Sequence, residues 1–160
     1  MANKIYISFF ILFFFTSCSK NAVYNEHHEF ENNTWAKSEI IDFDVNIEDV
    51  NSDYDILVAI RHISGYPFAN VVVGLTIETP AGETRMMQHS LIIRNTDGSF
   101  KGDGLGDIWD IEVPVFEKYQ FKEKGIYKFT FENRMHLAEM PGLMSIGLIL
   151  KKTKARTDEV

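Results

Sequence analysis

The chain contains very little cysteine, because Cys18 is the only one among its 160 residues. A disulfide within the chain needs two thiols, so the fold cannot be cross-linked in this way. Its stability has to come from a hydrophobic core, which a content of 45% hydrophobic residues can supply. The sequence also lacks a long apolar run, since the longest, residues 5–15, has 11 residues and is interrupted by Ser8. A membrane-spanning helix needs about 20 apolar residues, so none is predicted.

Positive charge and catalytic motifs are scarce as well. The 16 basic residues are outnumbered by 23 acidic ones, and the net charge of −7 repels the phosphates of nucleic acid. The sequence has no Gly-x-Ser-x-Gly motif, no His-Glu-x-x-His motif and no glycine-rich phosphate loop. His62, His89 and His136 are scattered over separate segments. We therefore predict a protein without catalytic residues, metal ligands or a cofactor, and without nucleic acid as a partner.

The amino terminus has the features of a secretory signal peptide. Lys4 provides a positive start, the apolar residues 5–15 follow, and two small residues precede Cys18. An apolar stretch of this length matches the hydrophobic region of such a signal. The sequence therefore predicts a signal peptide over residues 1–17.

The four residues Phe15-Thr16-Ser17-Cys18 resemble a bacterial lipobox. The resemblance implies that the Cys18 sulfur takes a diacylglycerol, that the signal is cut before Cys18, and that the new amino terminus is acylated, with palmitate as the expected chain. Each buried methylene contributes about 0.8 kcal/mol, so two or three acyl chains attach a protein stably to the bilayer. The alternative is an ordinary signal peptide that leaves a free thiol.

Cleavage before Cys18 leaves 160 − 17 = 143 residues, the size of one domain. This mature chain loses Lys4 and no acidic residue, so its charge is 15 − 23 = −8. Residues 18–33 are polar with few β-branched side chains, and we interpret them as the acylated N-terminus and a tether, in which residues 23–30 can form a short element. Residues 34–152 are expected to form the folded domain, and residues 153–160 a charged C-terminal tail.

The hydrophobic pattern of the predicted domain has a period of two. Ile41, Phe43 and Val45 alternate with polar residues, as in a half-buried strand. Residues 68–79 and 83–93 are predicted to pair as a hairpin, and Gly125-x-Tyr127 is typical of the tyrosine-corner region of β-sandwiches. Seven or eight such segments lie between turn signals, and no segment indicates a helix. The predicted fold is therefore all-β, an antiparallel β-sandwich of immunoglobulin-like or jelly-roll type.

One stretch, residues 97–110, contains four glycines and four aspartates. Glycine permits positive φ, so the stretch can be a structural loop with demanding backbone geometry. The aromatic residues near its ends can instead make it a tip that contacts a partner. As a third possibility its carboxylates can hold Ca²⁺, although their spacing fits no EF-hand. The candidate partner-contact residues are Phe100, Gly102, Gly104, Gly106, Asp107 and Trp109.

Several short motifs follow one another along the mature chain. They are, in order, Val23-Tyr24, Phe30, Trp35, Tyr54-Asp55-Ile56, Tyr66-Pro67-Phe68-Ala69-Asn70-Val71, Asp97-Gly98-Ser99-Phe100, Gly102-x-Gly104-Leu105-Gly106-Asp107-Ile108, Gly125-x-Tyr127, Met140-Pro141-Gly142-Leu143 and Ile146-Gly147-Leu148. Together with the signal, the lipobox and the chain length, this order resembles the gliding-motility lipoproteins called GldH, found in gliding bacteria of the Bacteroidetes group.

This resemblance implies a non-enzymatic accessory of the envelope machinery for gliding, in which a motor coupled to the type IX secretion system moves surface adhesins. The expected partners are the lipid bilayer, through acylated Cys18, and other envelope proteins of that machinery. The resemblance transfers a defined role to Cys18 alone, as the acylation site. It implies no catalytic residue.

A second hypothesis is a glycan- or ligand-binding lipoprotein of an outer-membrane uptake system. Such sites expose several aromatic residues on one platform, for which Trp35, Tyr66, Trp109 and Tyr119 are candidates. On either hypothesis we expect attachment to the outer membrane, because Ser19 and not an aspartate follows the cysteine. No acidic run follows Cys18, which favours the periplasmic face over the cell surface.

Overall fold

The structure is a computed structural model in which residues 22–155 are described. The predicted signal peptide, Cys18 and residues 156–160 lie outside this range. The described residues form eleven strands and a short 3₁₀ turn at Glu31–Asn33. The strands are β1 (Ala22–Glu29), β2 (Thr34–Ala36), β3 (Ile41–Ile47), β4 (Ser52–Ile63), β5 (Asn70–Glu78), β6 (Thr84–Ile92), β7 (Asp103–Leu105), β8 (Ile108–Tyr119), β9 (Gly125–Asn133), β10 (Glu139–Pro141) and β11 (Leu143–Ala155).

The strands pair antiparallel in two sheets and a short ribbon. The first sheet has five strands in the order β1-β11-β4-β8-β7, the second has four in the order β3-β9-β5-β6, and β2 pairs with β10. The buried side chains of both sheets form one hydrophobic core. The prediction of an all-β antiparallel sandwich is therefore confirmed. The predicted number of seven or eight strands is too low, because β2, β7 and β10 are each only three residues long and show no full alternation.

The core follows from the alternation seen in the sequence. In β3, Ile41, Phe43 and Val45 are buried and the residues between them are exposed. Burying one such side chain stabilises the fold by about 1.5–3 kcal/mol. β5 and β6 form the predicted hairpin. The Tyr127 hydroxyl donates a hydrogen bond to the carbonyl oxygen of Glu123 at 3.1 Å, which is the contact that a tyrosine corner makes.

The tether predicted over residues 18–33 is wrong for its second part. Residues 22–29 form β1, which pairs with β11 along its length, and Phe30 is buried in the core. An edge strand can be polar because backbone hydrogen bonds to one neighbour hold it, so it needs no apolar alternation. The end of the domain is also later than predicted, because β11 continues to Ala155. Residues 19–21 are therefore all that connects Cys18 to the sandwich.

The two ends of the sandwich differ in their distance from Ala22, the first described residue. The anchor end, named for the lipidation predicted at Cys18, is the end at which Ala22 enters β1, level with Lys151 of β11 and Asp55 of β4. The distal end is the end at which Ile63 of β4 lies level with Ile108 of β8. The two levels are separated by 63 − 55 = 8 residues of β4, or about 26 Å at 3.3 Å per residue. The β7–β8 hairpin is therefore at the end of the sandwich that is farther from Ala22.

Candidate functional site

The predicted loop of residues 97–110 begins with a closed turn. The carboxylate of Asp97 accepts hydrogen bonds from the Ser99 backbone N–H at 2.9 Å and from the Ser99 hydroxyl at 2.6 Å. These hydrogen bonds lower the pKa of Asp97. The Gly98 N–H donates to the carbonyl oxygen of Asn95 at 3.0 Å, and Gly98 has a φ of 86°. The turn is thus held by its own residues.

The glycines of the loop meet steric demands. Gly102 has a φ of 85°, and a β-carbon at this position would overlap the carbonyl oxygen of Asp110. Gly104 lies under the indole ring of Trp109, where a β-carbon would be 2.9 Å from the ring. Gly106 has a φ of 62° at the first position of the two-residue hairpin loop between β7 and β8, the position at which such loops favour glycine. The structure therefore explains on steric grounds why three of the candidate residues, Gly102, Gly104 and Gly106, are glycines.

The four aspartates of the loop do not converge. Asp97 is bonded to Ser99, and Asp110 receives two hydrogen bonds from Arg61 at 2.8 and 3.1 Å. Asp103 and Asp107 are exposed. Within residues 22–155, no group of three or more His, Cys, Asp or Glu side chains is arranged to hold a metal ion. The geometry of the described loop therefore gives no support to the Ca²⁺ interpretation.

Phe100 and Trp109 face the sandwich and are half-buried. The Phe100 ring lies 4.6 Å from the ring of His62 and 5.3 Å from the ring of Trp109. The Trp109 Nε1 donates a hydrogen bond to the Ser64 hydroxyl at 3.2 Å. These two candidate contact residues therefore fix the loop to β4 and the segment after it, and both remain partly exposed.

Arg94, just after β6, connects the loop of residues 97–110 to the segment of residues 66–68. Its guanidinium donates hydrogen bonds to the carbonyl oxygens of Tyr66 at 2.9 Å, Phe68 at 3.3 Å and Gly98 at 2.8 Å. Its Cζ also lies 3.6 Å from the centre of the Phe100 ring, a cation–π contact. Arg94 therefore holds together the segment of residues 66–68, the turn at Gly98 and the Phe100 ring, which precedes the hairpin.

The exposed apolar residues of the loop are Leu105 and Ile108, which we call the tip pair. They are cross-strand neighbours on β7 and β8, and their side chains are 88% and 39% exposed. The Asp107 carbonyl oxygen between them accepts a hydrogen bond from the Ser64 N–H at 2.8 Å. Sequence reasoning missed both residues. The signal that could have found them is an apolar residue on each side of a Gly-Asp turn.

The comparison with known protein families places this hairpin within a matched region. The sequence profile described as GldH lipoprotein matches residues 22–150, which is most of the chain. The chain belongs to the GldH lipoprotein family. The resemblance inferred from the order of the motifs is thus confirmed.

Two GldH relatives show how far the similarity extends. The gliding motility lipoprotein GldH of Flavobacterium johnsoniae is 31% identical over 131 residues, which cover 81% of this chain and 80% of that protein. A gliding motility lipoprotein GldH homolog of Christiangramia forsetii is 24% identical over 159 residues, covering 95% of this chain and 97% of that protein. In the part of the chain that the structure describes, no helix is long and apolar enough to cross a membrane.

The aromatic platform of the glycan-binding hypothesis is not formed in this GldH-family chain. Trp35 and Tyr66 are fully buried. Trp109 and Tyr119 are half-buried, and Tyr119 lies 4.9 Å from the ring of Phe121 in the core. The four residues therefore do not share one exposed surface.

His62 is a buried titratable group beneath the GldH hairpin. Its Nδ1–H donates a hydrogen bond to the carbonyl oxygen of Ile63 at 3.0 Å, which places the lone pair of the neutral imidazole on Nε2. Nε2 is buried and has no hydrogen-bond partner within residues 22–155. Burial lowers the pKa of His62; the bond to Ile63 and the charge of Asp110 oppose the shift, and the charge of Arg94 adds to it.

We expect the stability of this GldH-family protein to fall as the pH drops from 7 to 5. The unfolded chain binds a proton at His62 with a pKa of about 6.5, whereas burial disfavours the same protonation in the folded protein. Lowering the pH therefore favours unfolding. The slope for one histidine is at most about 1.4 kcal/mol per pH unit. Thermal unfolding at stepped pH measures it.

A His62→Leu variant should flatten this slope, because it removes the buried imidazole. Carboxylates with a lowered pKa, such as Asp49 at about 2, which is bonded to Lys152, also stabilise the folded protein. Their contribution is lost only at a lower pH than this range. A His62→Leu protein with the full slope between pH 7 and 5 would contradict the assignment. His89 also has a pKa lowered by burial, so a residual slope is expected.

Proposed function

We propose that this chain is a lipid-anchored envelope lipoprotein that serves gliding motility. The observation that carries the proposal is the match to the F. johnsoniae gliding motility lipoprotein, at 31% identity over 81% of this chain. The family match over residues 22–150 supports it, because the distal hairpin and all of the sandwich except the last five residues of β11 lie within the matched region. On this proposal the protein is an accessory of the gliding and type IX secretion machinery.

The proposed anchor is an acyl group on Cys18, with the protein on the periplasmic face of the outer membrane. The lipobox-like sequence before Cys18 supports acylation, and Ser19 after it supports release to the outer membrane. Because β1 begins at Ala22, four residues of chain reach at most about 14 Å from Cys18. The anchor end of the sandwich is then held close to the bilayer, and the hairpin lies about 26 Å farther along β4.

A non-enzymatic role is supported by the surroundings of His62 and His89; His28 is paired with the Glu39 carboxylate at 2.8 Å, but no serine or cysteine side chain is bonded to it in the described residues. His62 lies 4.6 Å from Phe100, and His89 lies 5.6 Å from Phe116, ring centre to ring centre. Neither imidazole is hydrogen-bonded to a serine, cysteine or carboxylate side chain in the described residues, as a nucleophile–base pair would require. The protein is therefore proposed to act by holding and contacting other envelope proteins.

Deletion of the gene is expected to abolish spreading of the host cells on agar and movement of single cells on glass. Expression of the full-length chain from a second site should restore both. Growth rate in liquid is the control, because a general envelope defect would reduce it as well. Normal spreading of a clean deletion strain would contradict the proposed function.

A further inference from the structure

The hairpin is continuous with a groove on the outer face of the five-stranded sheet. The groove has a volume of about 720 Å³ and is bounded by β1 on one side and by β7 and β8 on the other. Its floor is low in the middle because two small residues, Ala59 of β4 and Gly147 of β11, pair there. A side chain at Gly147 would collide with the ring of His27, so glycine lets this ring lie low over β11. The tip pair projects at the distal end of the groove.

The groove carries an excess of negative charge. Its lining includes four carboxylates, of Glu29, Asp103, Asp110 and Glu112. Asp110 is paired with Arg61 at 2.8 Å, and Glu112 is paired with Lys151 at 2.5 Å. The carboxylates of Glu29 and Asp103 accept no hydrogen bond and form no ion pair within residues 22–155. The charge of Arg61 also interacts with that of Glu29, so two cations, Arg61 and Lys151, face four carboxylates and the groove keeps a net negative charge.

The apolar tip and the acidic groove belong to one rigid surface. Asp103 and Leu105 are two residues apart on β7, so they share a face of the strand. Arg94 and the tilted ring contact between Phe100 and Trp109 hold the base of the hairpin. A surface that is ordered before binding loses little conformational entropy on association. Exposed apolar side chains next to fixed charges are also typical of a protein-binding surface.

We propose that this surface binds a basic segment of an envelope protein, which lies across the groove with one Lys or Arg side chain near Asp103, a second near Glu29, and an apolar side chain against the tip pair. Charge complementarity selects the occupant, because the guanidinium that lines the groove, that of Arg61, is already paired with Asp110. The proposal deepens the proposed function and rests on it. The distal position of the tip directs the contact away from the membrane that holds the protein.

The first test measures gliding in a deletion strain that expresses the full-length lipoprotein. Leu105→Asp places a charge where the apolar partner side chain is expected, and should weaken the contact about 10- to 100-fold and stop spreading. Met86→Asp is the matched control, because Met86 is 70% exposed on the other sheet. Both proteins should accumulate and melt like the wild type. Normal spreading with Leu105→Asp would overturn the proposal.

The second test uses photocrosslinking in living cells with benzoylphenylalanine at position 105, and at position 86 as the control. A band specific to position 105 should weaken about tenfold when Glu29→Lys and Asp103→Lys are combined, because the basic segment is then repelled. Asp44→Lys with Glu48→Lys, on and just after β3, matches this change in net charge and should leave the band intact. A band at twice the mass of the chain, or one that the groove reversal leaves unchanged, would contradict the basic partner.

The two proposals can fail separately. Normal spreading of the deletion strain rejects the role in gliding, and the crosslink at position 105 then still tests the surface. Lost spreading of the deletion strain, together with normal spreading of Leu105→Asp, rejects the surface and leaves the role in gliding standing.

Discussion

Replacing Gly102 by alanine is expected to destabilise the protein by about 2–5 kcal/mol, because two effects add. The backbone has a φ of 85° there, a conformation that costs a residue with a β-carbon about 1–2 kcal/mol. The new methyl group would also overlap the carbonyl oxygen of Asp110 on β8. Backbone cannot turn aside as a side chain can, so β7 must shift, at a further cost of about 1–3 kcal/mol.

Gly98→Ala is the matched control for this prediction. Gly98 also has a positive φ, 86°, but no atom lies within 4 Å of the position of its β-carbon. The control should therefore show the conformational cost alone, about 1–2 kcal/mol. Thermal unfolding of the detergent-solubilised proteins measures both, since 1 kcal/mol corresponds to roughly 2–4 °C in a protein of this size. Equal melting temperatures for the two variants would mean that the close approach to β8 contributes nothing.

The sequence predicted those strands whose side chains alternate between core and solvent. β3 and the β5–β6 hairpin have this pattern, and their burial follows it. β1 could not be found in this way, because Asn25, Glu26 and His27 are all exposed. That strand is defined by its backbone pairing with β11, a contact between the two ends of the chain. A local sequence pattern carries no information about pairing between strands so far apart in the chain.

The candidate site was predicted in part for a related reason. The cluster of glycines indicated a loop with unusual backbone angles, and Gly102 and Gly106 have them. The directions of the side chains depend on where the two-residue turn at 106–107 falls, because a shift of one residue exchanges the faces of a strand. The turn directs Trp109 toward the sandwich and leaves Leu105 exposed. The aromatic residues named from the sequence therefore have a positioning role, and the apolar pair between them forms the exposed surface.

Removing the proposed acyl anchor is expected to have the largest effect on function. Cys18→Ala should lower the ratio of membrane-bound to soluble protein at least ~100-fold, because two or three acyl chains anchor a protein stably to a bilayer and the variant would lack them. Gliding should be lost with it. Confinement to one membrane raises the effective concentration of a protein near its partners by a factor on the order of 10²–10⁴, and a soluble protein does not have this advantage.

The design of this variant has to separate the anchor from the signal peptide. With its own leader, Cys18→Ala can remain uncut and be retained by the apolar residues 5–15, which would imitate attachment. The variant should therefore carry the cleavable signal of an ordinary secreted protein, and the control should carry the native leader with Cys18 intact. Membrane fractionation and spreading on agar are the two measurements. If the soluble protein restored full gliding, the sandwich would act without its anchor, and the orientation that places the hairpin away from the bilayer would have no role.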